Sequence, residues 1–233
     1  MAEQYNSNFT GPEIDAILGN AVRYDLAQSF SSAQQAQARD NINAAPDGYG
    51  LGNAPTDVTS LASITKNGFY SIHGGDAPDG GYWQGVHLGG AAKYGALQIM
   101  ESQTNAKGCA CLRYTWAGEW TPWEWVNPPL ALGVEYRTTE RYLGKPVYCK
   151  LVNCGEIAGD KTVAHGISSM SRCIFAQGNY LGAILPMIVN RSLSDTRTVY
   201  ISSVSNTAIT IICGANITGG TCYVQVKYTK TTD

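Results

Sequence analysis

The sequence predicts a mainly β protein. A short α-helical stem stands at its N-terminus, a small β-module follows, and a β-sandwich or jelly-roll-like domain ends it. Three observations predict this. Glycine (26) and tyrosine (14) are abundant while phenylalanine is scarce (4), which suits strands joined by tight turns. Helix signals are confined to the first 45 residues. The last hundred residues hold six short strand candidates, and in the closing one apolar and polar side chains alternate. Cys222, Val224, Val226 and Tyr228 interleave with Tyr223, Gln225 and Lys227, the period-two signature of a half-buried strand.

The stem is residues 1–45. Thr10-Gly11-Pro12-Glu13 reads as a capping box, with Pro in the first turn and Glu13 able to reach back to the Thr10 amide. Ile14, Ile17, Leu18 and Ala21 then make a narrow apolar stripe at helical spacing. A second helix begins at Ser31 and is rich in Ala and Gln. Helices this short are marginal alone in water. They must pack on something, either on copies of themselves or on a β-domain of the same chain. The narrow stripe favours copies, with Ile14, Ile17, Leu18 and Ala21 as the seam.

Residues 46–57 form a linker, because Pro46, Gly48, Gly50, Gly52 and Pro55 defeat regular structure. The Gly48-x-Gly50-x-Gly52 spacing has no strand before it and no helix after it, so it carries no phosphate-loop signal.

Residues 58–129 form the small β-module. Strands are expected at 68–72, 86–88, 96–100 and 111–116, with a turn-rich loop at 74–81. The module closes on Trp116-Ala117-Gly118-Glu119-Trp120-Thr121-Pro122-Trp123. Residues 130–233 form the terminal domain, with strands expected at 147–152, 172–175, 184–189, 198–204, Ala208–Cys213 and 222–228. Six short strands at this spacing suit a sandwich or jelly roll.

Composition excludes several classes. Sixteen basic against eighteen acidic residues give a formal charge of −2, so a nucleic-acid partner is not expected. No run approaches the roughly 20 apolar residues of a membrane span, and insertion into a membrane is not expected. The start Met1-Ala2-Glu3-Gln4 lacks the basic and apolar regions of a secretory signal, so synthesis in a cytosol is expected. The Asn-x-Ser/Thr matches at Asn8, Asn190 and Asn216 then carry no weight.

Seven cysteines are an odd number, so at least one is unpaired. Cys109 and Cys111 would share a strand face. Cys149 and Cys154 could meet across a tight turn, and with His165 they carry a faint zinc spacing. A second ligand pair is missing, so buried free thiols, no metal and no cofactor are expected.

No enzyme is expected. The three histidines, His73, His87 and His165, have no evident orienting acid, and no Gly-x-Ser-x-Gly elbow or facing carboxylate pair stands out. Of the aromatic cluster, Trp116, Trp120 and Trp123 are expected in the core. Tyr82 and Trp83 sit after Gly80-Gly81 and are candidates for an exposed ligand contact, with a core role as the alternative. In the terminal domain Asn179, Tyr180, Asn190, Arg191 and Asp195 are candidate ligand-binding residues on loops. The alternative for each is a plain solvated loop.

Gly68-Phe69-Tyr70-Ser71-Ile72, the Leu112-Arg113-Tyr114 strand and the tryptophan-rich close resemble the pyocin knob domain of phage tail fibres and R-type bacteriocin fibres. Phe9-Thr10-Gly11-Pro12-Glu13-Ile14-Asp15, followed by Ser32-Ala33-Gln34-Gln35-Ala36-Gln37-Ala38-Arg39-Asp40-Asn41-Ile42, is similar to a short stem of phage tail and capsid fibres. Gly144-Lys145-Pro146-Val147-Tyr148, Thr162-Val163-Ala164-His165-Gly166-Ile167 and the closing strand 224–230 resemble a β-rich terminal module of fibre proteins from gut Firmicutes phages.

The resemblance implies a homotrimeric virion fibre or appendage. It would be made in the bacterial host cytoplasm and displayed outside. Residues 1–45 would attach to other virion proteins and trimerise, and a host-surface glycan or protein would be bound through multivalent, non-catalytic contacts. The alternative is a structural virion component, a capsid decoration or baseplate fibre, with no receptor of its own.

Overall fold

The computed structural model describes residues 10, 12–13, 31–41 (the last three by backbone alone), 54–89, 95–188, 199–214 and 219–233. The chain divides into two compact units, Met1–Tyr49 and Gly50–Asp233. Ile14, Ile17, Leu18 and Ala21 lie outside the described residues.

In the first unit the Thr10 box forms. Glu13 accepts the Thr10 amide at 2.7 Å and the Thr10 hydroxyl at 2.8 Å. The backbone bond first, and the hydroxyl second, hold the Glu13 carboxyl below its ordinary value. Helix α1 (Ser32–Asn41) carries a second box. The Ser31 amide donates to Gln34 Oε1 at 3.0 Å, and the Gln34 amide donates back to Ser31 Oγ at 3.3 Å. Among its described side chains only Ala36 is half-buried and the rest are exposed.

The second unit is mainly β. Its strands are β1 (Thr56–Val58), β2 (Gly68–His73), β3 (Tyr82–Leu88), β4 (Leu97–Ser102), β5 (Ala110–Trp116), β6 (Glu119–Trp120), β7 (Glu124–Trp125), β8 (Glu135–Tyr142), β9 (Lys145–Glu156), β10 (Lys161–Ala164), β11 (Met170–Tyr180), β12 (Ala183–Leu185), β13 (Val199–Val204), β14 (Ala208–Cys213) and β15 (Thr221–Lys230). One long sheet runs β1-β2-β3-β4-β5-β7-β8-β9-β15-β11-β12, with β6 hairpinned onto β5, and a three-stranded sheet runs β10-β14-β13. The last two residues of the expected linker are strand, since Thr56 and Asp57 pair in parallel with Tyr70 and Ser71.

Two cores result. The first gathers Leu61, Ile72, Trp83, Met100, Cys111, Trp125 and Tyr136 on one face of β2–β5 and β7. Tyr136 lies in β8, so this core reaches past residue 130. The second lies between the five strands β8-β9-β15-β11-β12 and the three of the small sheet. Val152, Ala176, Val224, Val226 and Tyr228 on one side meet Ile201, Ile209 and Ile211 on the other, an arrangement of packed sheets that makes a sandwich. The expected alternation in β15 holds, with Cys222, Val224, Val226 and Tyr228 at 0% exposure.

A single pairing, Trp125 with Thr138, joins β7 to β8. Around it Trp125 packs edge-on against Trp83 and Tyr136, with ring centroids 5.7 and 5.3 Å apart. Beside it the buried Glu124 carboxylate is gripped by Arg137 Nε at 3.0 Å and Arg141 Nη2 at 2.7 and 2.8 Å.

Three hairpins turn on two residues that both have positive φ: Ala117-Gly118, Leu143-Gly144 and Leu181-Gly182. These are type I′ geometries, which match the twist of the flanking strands. The first residue of each pays a left-handed penalty that Asn or Gly would avoid.

The expected meeting of Cys149 and Cys154 at a turn does not occur. Both lie within β9, an odd number of residues apart, so they point to opposite faces of the sheet. None of the seven cysteines is in a disulfide. Cys154 instead lies beside Cys222 at the β9–β15 bulge. His165 is a buried structural residue. Its Nδ1 accepts the Ile167 amide, and its Nε2 meets the Ser205 carbonyl, each at 3.1 Å.

Candidate binding site

The structure redistributes the expected contact residues. Trp83 was a candidate for an exposed ligand contact, but it is fully buried, with its indole N–H donating to Asp79 Oδ1 at 2.6 Å. The cause is register: Trp83 opens the core face of β3 opposite Ile72. Tyr82, its neighbour on the other face, is half-buried. Tyr180 was likewise expected on an exposed loop and is instead 8% exposed in β11, its hydroxyl donating to the Gly219 carbonyl. Asn179 is exposed. Asn190, Arg191 and Asp195 lie outside the described residues.

The tryptophan cluster splits. Trp125 is buried, and Trp120 and Trp123 are half-buried, but Trp116, expected in the core, is 75% exposed. It ends β5 at the Ala117-Gly118 turn, where no element among the described residues covers it.

Trp120 and Trp123 clasp Arg113. The guanidinium carbon lies 4.7 Å from one ring centroid and 4.3 Å from the other. Arg113 donates to Asp76 Oδ2 and to Gln98 Oε1, both at 2.8 Å. Gln98 donates to the Leu61 carbonyl at 2.6 Å and faces His87 Nδ1 at 3.1 Å, while His87 Nε2 faces the Gly89 carbonyl at 3.1 Å. A carbonyl accepts only, so Nε2 carries the His87 proton and Nδ1 accepts from Gln98.

Burial drives Asp76 upward. The Arg113 hydrogen bond, the Leu61 amide, the Arg113 charge and the Ala62 amide together outweigh it and hold the carboxyl below its ordinary value. Burial first, and the Arg113 charge, depress His87 against the pull of Gly89. Burial also lowers Arg113 against the pull of Asp76. This network resembles acid–base machinery in composition only. Its groups are enclosed, mutually satisfied, and pair no carboxylate with the histidine. It holds the module together.

An open groove lies elsewhere, on the outer face of the sandwich's larger sheet. It encloses about 220 Å³ between Leu151, Gln177, Gly178, Asn179, Ile184, Tyr223 and Gln225. Strand pairing builds it. Leu151, Gln225 and Gln177 form one cross-strand row over β9, β15 and β11, and Tyr223, Asn179 and Ile184 form the next over β15, β11 and β12. The Gln225 amide is steadied by donation to Cys149 Sγ at 3.1 Å. Asn179 Oδ1 accepts the Gly182 amide at 3.3 Å, which fixes its carboxamide.

The lining therefore offers three carboxamides, a tyrosine and two aliphatic side chains, with no charge among them. Carboxamides donate and accept, as hydroxyls do. Rings and aliphatic groups meet C–H faces. The chemistry suits a small, neutral, hydroxyl-rich ligand. Of these residues the sequence analysis singled out only Asn179. Tyr223 and Gln225 were legible as the solvent-facing half of the β15 alternation, but Gln177 and Ile184 join them only through the β11–β12 and β11–β15 registers.

Among the described residues no group of three or more His, Cys, Asp or Glu could hold a metal ion, and no helix is long and apolar enough to cross a membrane. No family model matches the chain, and no curated protein matches it. Among solved structures the chain is similar to an N-truncated R2-type pyocin tail fibre at 10% identity, covering 77% of this chain and 98% of that one, with a TM-score of 0.26. It is also similar to the R1 pyocin fibre of P. aeruginosa at 14% identity, covering 77% and 68%, with a TM-score of 0.28. The R2 pyocin fibre of P. aeruginosa gives 11% identity, 78% and 68% coverage, and a TM-score of 0.27.

Proposed function

We propose that this chain is a multimeric fibre or appendage protein of a phage-type particle. Without catalysis, it adheres to a neutral glycan on a host surface through the outer groove of its sandwich domain. The observation that carries the reading is the groove itself: three carboxamides, Tyr223 and two aliphatic side chains around about 220 Å³, with no charge. That volume lies below the 300–1,000 Å³ of sites that swallow drug-sized ligands, so each groove grips a single sugar unit weakly. Useful adhesion then comes from several grooves acting together, with copies gathered by residues 1–45. The order of stem, knob-like module and terminal module along the sequence supports the fibre assignment.

Binding of the full chain to a panel of neutral and acidic glycans tests this. Gln177→Ala with Gln225→Ala is expected to abolish retention on neutral glycans while leaving the fold intact by circular dichroism. Binding that survives both substitutions moves the site off the groove. An absence of binding to every neutral glycan by the wild-type chain, with deletion of the protein from a particle leaving adsorption unchanged, favours a purely structural component.

A further inference from the structure

The β2–β5 sheet buries polar groups among its core residues and carries a large apolar row on its outer face. The face turned to the core carries His87, Gln98, Ser102 and Arg113, all buried, beside Ile72, Trp83, Met100 and Cys111. The opposite face carries Phe69, Val86, Ile99 and Leu112, which pair in one unbroken cross-strand row: Phe69 with Val86, Val86 with Ile99, Ile99 with Leu112. Leu88, Leu97 and Tyr114 form the next row, and Trp116 follows on the same face by alternation. Phe69, Leu88, Ile99 and Trp116 are 43, 49, 39 and 75% exposed, and the others are partly exposed.

We infer that this outer face is an interface between copies of the chain: the β2–β5 sheets of neighbouring copies pack face to face, with Trp116 buried at the margin. At these exposures the face displays on the order of 600 Å² of apolar surface in one place, the upper end of what monomers show. A free-standing interface needs roughly 800 Å² per partner, so the face falls short of recruiting a partner from dilute solution. A partner already held alongside at millimolar effective concentration needs less. Charge stands only at the borders of the face, at Glu101, at Glu119 beside Trp116, and at Glu124 beside Leu112, the last already held by Arg137 and Arg141, so the occupant is itself apolar and flat over the centre of the face. A second copy presents that surface. The inference rests on the reading of residues 1–45 as the segment that gathers copies.

The test uses the full chain in sedimentation equilibrium, with Ile99→Lys as the main variant and Ile99→Thr as a milder polar one that keeps strand propensity. The dissociation constant is expected to rise at least ten-fold for Ile99→Lys and less for Ile99→Thr. The melting curve of dilute protein and per-chain glycan binding should be unchanged. On dilution of the wild type, Trp116 should leave an apolar site, giving a red shift of emission that Trp116→Phe removes. Equal dissociation constants in wild type and both variants, or a wild-type monomer at all concentrations, overturn the inference. So does a photo-cross-linker at position 99 that joins the chain to a different protein of the particle. Loss of glycan binding in the groove variants has no bearing on association, so the two readings fail separately.

Discussion

The two cores of the β unit solve one problem in opposite ways. The sandwich is aliphatic inside, with Ile201, Ile209, Ile211, Val224 and Val226 at 0% exposure. The β2–β5 module hides a hydrogen-bonded chain of Asp76, Arg113, Gln98 and His87 between tryptophans, and shows its aliphatic residues to the outside. An aliphatic core tolerates loss of any one member by partial collapse. A polar chain fails when one link is removed, because each remaining group is left buried and unpaired.

The largest expected effect breaks that chain. Arg113→Ala strands Asp76 and Gln98 and opens the space between Trp120 and Trp123, at a cost of about 4 kcal/mol. Urea unfolding followed by tryptophan fluorescence reads it, and a cost below about 1 kcal/mol would erase the contrast between the cores. In the sandwich, Ile211→Ala is expected to cost about 3 kcal/mol and Ile211→Val about 1 kcal/mol, graded by volume as aliphatic packing demands. At the junction, Glu124→Gln removes the charge that two arginines share and is expected to cost about 2 kcal/mol.

Acid should also act on one region first. His87 is depressed in the folded state, so the unfolded chain takes up a proton more readily. Stability is therefore lost as pH falls from the ordinary histidine value near 6.5 toward the folded value. Asp76 is likewise depressed, and its contribution is lost as pH falls below the ordinary carboxyl range and through its folded value. Both signs agree: the module weakens in two acid steps, and His87→Gln should delete the first. Hydrogen exchange resolved by region would show whether the sandwich is spared. The smallest effect runs the other way. Leu143→Gly should stabilise by up to about 1 kcal/mol, because it relieves a left-handed leucine at an exposed turn.

Legibility followed the same divide. In β15 the alternation of apolar and polar residues alone located the strand and its inward face, because burial there obeys hydropathy. In β4 the same rule inverts: Gln98 is buried and Ile99 is exposed. Trp116 was read as core, and Trp83 as a candidate surface contact, for the same reason. Composition says an aromatic residue wants cover, but only the strand register says which face receives it. The groove was half legible, since Tyr223 and Gln225 show as outward residues of one strand. Gln177 and Ile184 arrive from strands tens of residues away in sequence. The Glu124 clamp depends on arginines 13 and 17 residues onward, and no local pattern marks it.

The lone pairing of Trp125 with Thr138 has a mechanical meaning. Long strand ladders resist shear by sharing load across many bonds at once, and this seam has no ladder to share it. What keeps the β2–β5 module and the sandwich at a set angle is a carboxylate held by two guanidiniums and a run of three rings packed edge to face. Where the sandwich points relative to the β2–β5 module is therefore decided by a handful of side chains at a latch.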